Sequence, residues 1–498
     1  MVARPRRAAR KGTRPPASPT PPPPEAPTPS ERAATIRESV RTGEMRDLGP
    51  LFVALSDPVP GIRETAAMAL GILRDPRACT TLATAVNDPD PKVRATAVEA
   101  LGAIGRPESR STAEGALDDR DAGVRTKAAL ALATLGDARS ISSLARRTAD
   151  PAASVRQAVA LALGRIAPEA GFEALAPMLT DPVDRVRREA VLAIGRSSNA
   201  AHLASVRGRF EDPARRVRVA AAVVAGRHRD RASVPMLLHL LTTPETWEKP
   251  AVLVALGRIG DPSATPALVG WAEHPAHWIR VCAVHALGEM AVAESRSVAL
   301  AHLRDPYWSV RGAAAIALGS VGTPDDLAPL LESLRDEHPW ARRGATYALG
   351  RLGLSEAAPR LRDGLHDPAV EVRLAAVWAL GNLGDDGARD DLVRLLYQSR
   401  PTEDAPSSDA PPEEGLTSDA GTRLFDAVVQ ALGRLAHGIP DPLIQRSLVD
   451  ARERLSDEEL DRLARLPLPE IRADHPTPTL RTLFDLALPS AADDEESG

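Results

Sequence analysis

The sequence predicts an all-α fold, a right-handed solenoid of about twelve helix pairs, and three observations carry that prediction. The first is a period. Stepping by 31 residues from Arg63 meets Arg94, Arg125, Arg156, Arg187, Arg218, Lys249, Arg280, Arg311, Arg342 and Arg373. The second is a pair of companion rows with the same step. From Gly71 glycine recurs everywhere up to Gly381 except at Ala133, and from Asp57 aspartate recurs except at Thr243 and His274. The third is the absence of any insertion or deletion over eleven units. A fixed period of this length marks a stacked repeat architecture, in which each unit is one supersecondary motif.

Each unit has room for two short helices. In the second, Cys79, Leu82, Ala83 and Val86 recur at the spacing of one helix face. The Asp-Pro pair then breaks the chain, because proline cannot continue a helix and restricts the residue before it. The next helix is expected to bury Val93, Ala97, Ala100 and Leu101. Gly102 falls where a neighbouring helix approaches closely or where its own helix ends. Neither helix can bury its face alone, so the units must stack into one continuous core.

The motif "DPDPKVRATAVEALGAIG", with its relatives from Asp57 to Asp367, resembles the short HEAT-like repeat of the phycobilisome-lyase type over roughly residues 46–437. That resemblance implies a solenoid. It also implies that the Arg and Asp rows form an internal hydrogen-bonded ladder between successive turns. Function is left open by it, since such repeats serve enzymes, scaffolds and adaptors.

The solenoid is expected to occupy residues 31–440. Ahead of it, residues 1–30 carry six basic residues and one acid on a proline-rich stretch, the composition of a disordered extension. Nucleic acid or anionic lipid is a conceivable partner for that basic head alone. The step from Gly381 to Gly433 is 52, so 21 residues interrupt the twelfth unit. They place an acidic insertion, at about 400–420, in the turn between two helices. Residues 441–488, including a capping box at Ser456 and Glu459, are expected to form a helical cap. An acidic tail occupies 489–498.

The formal charge of −5 is distributed as +5 on residues 1–30, −6 on 401–420 and −4 on 491–498, leaving the remainder balanced. A neutral array argues against a nucleic-acid binder of HEAT-like type. Two cysteines in different repeats exclude a disulfide framework and point to the cytoplasm. No apolar run reaches the ~18–20 residues that a membrane helix needs.

Catalytic motifs are missing. No histidine precedes a glutamate in the His-Glu pattern of the HEAT-like iron hydroxylases, and His274, His277, His285 and Glu289 make only two-ligand fragments. Neither catalytic residue, metal nor cofactor is therefore assigned. A bilin or other tetrapyrrole lyase, or a metal-dependent modifying enzyme, stands as the alternative reading.

Two rows point to partner binding. Arg165, Arg196, Arg227 and Arg258 follow the repeat glycine in four consecutive units. All six tryptophans and all three tyrosines lie between 247 and 397. Trp247, Trp278 and Trp340 share one phase beside the Asp-Pro turns, with Tyr307 and Trp308 adjoining, at a position expected to face solvent. Tyr347 and Trp378 continue a second row, through Met68, Leu130, Val254 and His285, expected to be partly exposed. The reading is a non-enzymatic scaffold that holds a protein partner along this aromatic half.

Overall fold

The computed structural model describes residues 28–41, 47–243 and 247–398. The basic head, the acidic insertion, the expected cap and tail, and the second helix of the twelfth repeat lie outside the described residues. Two units divide the chain, Met1–Ala167 and Pro168–Gly498. Among the described residues every regular element is helical.

In the first unit the helix Pro29–Arg41 packs on Pro60–Leu73, and Pro91–Ile104, Ala122–Leu135 and Ala153–Ile166 follow side by side. Short outer helices sit behind them, and three, Cys79–Ala85, Arg110–Ala116 and Ile141–Ala145, are entered through a 3₁₀ turn, as in Pro76–Ala78 running into the first. The second unit repeats the pattern. Its inner helices are Asp184–Ile194, Arg215–Arg227, Lys249–Ile259, His277–Met290, Trp308–Val321, Pro339–Arg351 and Val370–Leu383, each packed on the next.

One aspartate organises each ordinary junction. The Asp119 carboxylate accepts Nε and Nη2 of Arg94, both at 2.8 Å, from the preceding repeat. It also accepts the Asp121 backbone N–H at 2.8 Å, closing the turn before the next helix. Its carbonyl accepts Nη1 of Arg125 at 2.9 Å. Arg94 hydrogen-bonded beside it holds the Asp119 carboxyl below the usual carboxylate range. The same bidentate rung recurs at Arg63–Asp88, Arg125–Asp150, Arg187–Asp212, Arg280–Asp305, Arg311–Asp336 and Arg342–Asp367. The Arg-Asp ladder is thus a structural bond between turns, with its guanidinium forks matched to carboxylates.

The glycine row has the first of its two expected roles. A Cβ on Gly102 would stand 2.9 Å from Ala131 Cα, and one on Gly71 3.0 Å from Ala100 Cα. Gly226, Gly257, Gly288 and Gly350 meet Ala255, Ala286, Ala317 and Ala379 in the same way. Inner helices therefore touch backbone to backbone. Close approach on both flanks is why they bury alanine, as at Ala128, Ala129 and Ala131, and why aromatics are only 3% of the chain.

Candidate functional site: an aromatic edge on the second unit

The two exceptions in the aspartate row, Thr243 and His274, mark where the ladder changes chemistry. At the first, Glu248 supplies the missing carboxylate and takes Arg218 Nε at 2.7 Å, its side chain almost wholly buried. At the second no ionic rung forms among the described residues. Lys249, itself buried, places its ammonium 4.6 Å from the Trp271 ring centroid, and Trp271 stacks on His274 at 5.2 Å. A cation on a ring face replaces a salt bridge. Trp271 is in this way a part of the scaffold.

Beyond that point the edge that carries the turns becomes aromatic. His277 stacks on Tyr307 of the next repeat, with centroids 4.3 Å apart and planes 11° from parallel. Trp308 stacks on His338 of the following repeat at 3.8 Å and 9°. Each pair joins residues thirty apart, so two successive repeats are tied by the same ring contact. Arg280 lies 5.5 Å over the Tyr307 ring while still paired with Asp305.

The expectation of a solvent-facing phase holds only in part. Trp247 and Tyr307 are each 47% exposed. Trp278, Trp308 and Trp340 are half-buried. Trp340 lies against Gly312, whose missing side chain makes room for the indole, and Arg343 covers its ring at 4.8 Å. A periodic count places a residue on an edge but does not say whether a neighbour has a cavity for it.

Along the inner helices the second row is corrected as well. Met68 is 47% and Leu130 38% exposed, as expected of that phase. Val254 and His285 are buried instead, in helices whose residues are buried almost throughout. Tyr347 and Trp378 stack at 4.9 Å, half-buried, and Arg351 donates to the Tyr347 hydroxyl at 3.0 Å. These two rings share one patch in adjacent repeats.

The arginine row is distributed over both units. Arg165, in the first, is exposed. In the second, Arg196 and Arg227 are exposed, with Arg227 Nη1 3.4 Å from the Gly195 carbonyl. Arg258 is half-buried, its Nε 3.9 Å from Glu289. Their place in or just beyond the last helical turn suits the helix dipole. His285 Nε2 lies 3.6 Å from Glu289. Among the described residues no three His, Cys, Asp or Glu side chains are grouped to hold a metal ion. No described helix is long and apolar enough to cross a membrane.

His338 caps the helix Pro339–Arg351 through Nδ1, which accepts the Trp340 N–H at 3.2 Å. An acceptor nitrogen requires the neutral ring, and burial lowers the His338 pKa below its ordinary value. Its contribution to stability is therefore complete above about pH 6.5 and is lost as pH falls through the lower folded value. The expected result is a melting temperature that drops between neutral and mildly acidic pH. His338→Asn, which keeps a cap acceptor but cannot protonate, should flatten that part of the profile.

Such a stack of helix pairs with an internal Arg-Asp ladder defines an α-solenoid. A family model of HEAT repeats matches residues 80–160, 144–225, 206–281, 271–348 and 327–404, and the PBS lyase HEAT-like repeat matches 62–88. The chain belongs to the HEAT-repeat proteins, with repeats of the PBS lyase type.

Among solved structures, a chain of the Kap95p complex with RanGDP is 13% identical, with 86% of this chain and 68% of that one covered, at a TM-score of 0.52. A chain of the CpcE–CpcF phycocyanin lyase complex from Nostoc sp. PCC7120 is 21% identical, with 43% and 87% covered, at a TM-score of 0.31. The likeness to the Kap95p complex chain concerns the fold alone. No curated protein matches the chain.

Proposed function

We propose that this protein is a non-enzymatic interaction scaffold that holds another protein along the aromatic edge of its second unit. The observation that carries the reading is the exposure of Trp247 and Tyr307, two large rings, the first with Arg215 5.9 Å from its centroid and the second stacked on His277. Exposed aromatics that are already ordered make efficient anchors, because little side-chain entropy remains to be lost on binding. The half-buried Trp278, Trp308 and Trp340 widen the contact. Tyr347 and Trp378 offer a second apolar patch, and Arg196, Arg227 and Arg258 offer charged contacts at the other end of the inner helices of that unit. Solenoids present such extended surfaces by construction, and the Kap95p structure is one of a solenoid with a bound protein. The two free cysteines fit a reducing compartment such as the cytoplasm.

The test uses proteins recovered with the full chain from native lysate, each purified and titrated individually. Trp247→Ala combined with Tyr307→Ala should weaken the true partner about thirtyfold, the equivalent of ~2 kcal/mol at an interface hot spot. Stability should fall by no more than about 1 kcal/mol, the loss of the His277–Tyr307 stack. Unchanged affinity of every recovered protein for this variant would remove the aromatic edge as the site.

A further inference from the structure

Between residues 181 and 231 the chain holds twelve arginines against six acids, a net of +6 in a protein whose total is −5. The balanced charge of the solenoid conceals this block, which lies within the second unit. Some of these arginines are structural. Arg187, Arg207 and Arg218 pair with Asp212, Asp230 and Glu248, and Arg209 donates to the Leu179 carbonyl. Three others are not explained in that way. Arg185 stands in the first turn of Asp184–Ile194, and Arg215 and Arg216 open Arg215–Arg227, all exposed. A helix begins at the positive end of its dipole, so a cation there costs stability. None of the three forms an ion pair with a described residue.

Their position continues the aromatic edge. Arg185 and Arg216 occupy the phase of the repeat that Trp247, Trp278 and Trp340 fill further along. Arg215 places its guanidinium 5.9 Å from the Trp247 centroid. Three guanidiniums with no ion pair among the described residues thus stand on inner helices that pack one against the next and lead to an exposed indole in the following turn.

We propose that this end of the edge recognises an acidic, extended segment of the partner protein, with its carboxylates on Arg185, Arg215 and Arg216 and an apolar anchor at Trp247. The proposal rests on the scaffold reading for the partner being a protein. Planar guanidinium forks match carboxylates bidentately. Single-stranded nucleic acid fits less well, because it needs free ring faces along a continuous basic groove. Here each of the next rings has one face taken, in the His277–Tyr307 and Trp308–His338 stacks.

The probe is a fluorescein-labelled peptide of alternating glutamate and glycine, titrated by anisotropy against the full chain. Binding should weaken from low to physiological salt, as exposed charges are screened. Arg185→Glu with Arg215→Glu and Arg216→Glu should weaken it at least about tenfold. The same variant should melt no lower than the parent, since acids replace cations at helix N-termini; a lower melting temperature would make these arginines structural. Equal affinity of parent and variant overturns the proposal. So does a labelled oligothymidine held as tightly as the peptide and lost with the same variant, which would assign the surface to nucleic acid. Tighter peptide binding on deletion of residues 401–420 also overturns it, by making the chain's own acidic stretch the occupant. If the aromatic variant leaves every recovered partner unaffected while the peptide still depends on the three arginines, the scaffold reading fails and the acid-binding surface stands alone.

Discussion

Asp150→Ala is expected to destabilise the first unit by about 3–5 kcal/mol, the cost of leaving one member of a buried ion pair without its partner. The Asp150 side chain is fully buried and takes Arg125 Nε and Nη2 at 2.8 and 2.9 Å. Removing it strands a guanidinium that is itself buried, and that loss outweighs the methyl surface gained. It also uncaps the Ala152 N–H, held at 2.9 Å, at the entrance to Ala153–Ile166. Urea unfolding followed by circular dichroism measures the effect. Arg147→Ala is the control, because Arg147 lies 3.9 Å from the same carboxylate on the periphery and should cost under about 1 kcal/mol. Equal losses in the two variants would mean that the ladder contributes no more than a surface pair.

Gly257→Val should destabilise the second unit by about 3 kcal/mol, the upper end of the range for overpacking. A Cβ there would stand 2.6 Å from Ala286 Cα and 2.8 Å from the Ala286 carbonyl, so the neighbouring backbone must move. Gly257→Ala should also lose stability, although alanine in a helix gains about 1 kcal/mol over glycine. Gly270→Ala separates the two effects. It lies in the helix Thr265–Ala272 with nothing within 4 Å of its added carbon, so it should gain up to about 1 kcal/mol. Opposite signs for the two alanine variants, in thermal or urea unfolding, are the expected result. Matching signs would mean that the helices separate freely and that close approach is not what the row of glycines secures.

Much of the fold was legible because its constraints recur. Arg94, Gly102 and Asp119 stand out in one chain because each repeats at a fixed step. The ladder role of the first and third came from the resemblance to HEAT-like repeats, and the structure chose between the two roles open to Gly102. The breaks in the same rows were informative too. Thr243 and His274 marked the place where Glu248, and then Lys249 on Trp271, replace the ordinary rung. Their replacements were not legible. Glu248 lies five residues from the aspartate position and acts there because the chain enters the helix Lys249–Ile259 differently.

The candidate site was legible as an edge and illegible as a surface. Trp247, Trp278 and Trp340 share a phase, yet only Trp247 is largely exposed. Trp340 fills the space left by Gly312, a glycine outside the regular row. His277 and His338 gave no sign of being ring partners, since the residues they stack on lie a full repeat away. The period already sets Arg185 and Arg216 apart from the ladder arginines, but only the structure shows that they and Arg215 form no ion pair with a described residue.

By itself the sequence determined the period, the helix pairs and the Asp-Pro turns. A stack whose every unit meets only its neighbours repeats the same physical constraint, and repetition makes that constraint visible. Tertiary structure decided which aromatic rings remain exposed, which guanidiniums find carboxylates and how the two missing rungs are replaced. Those outcomes depend on the space and charge that one particular neighbour, about thirty residues away, happens to offer.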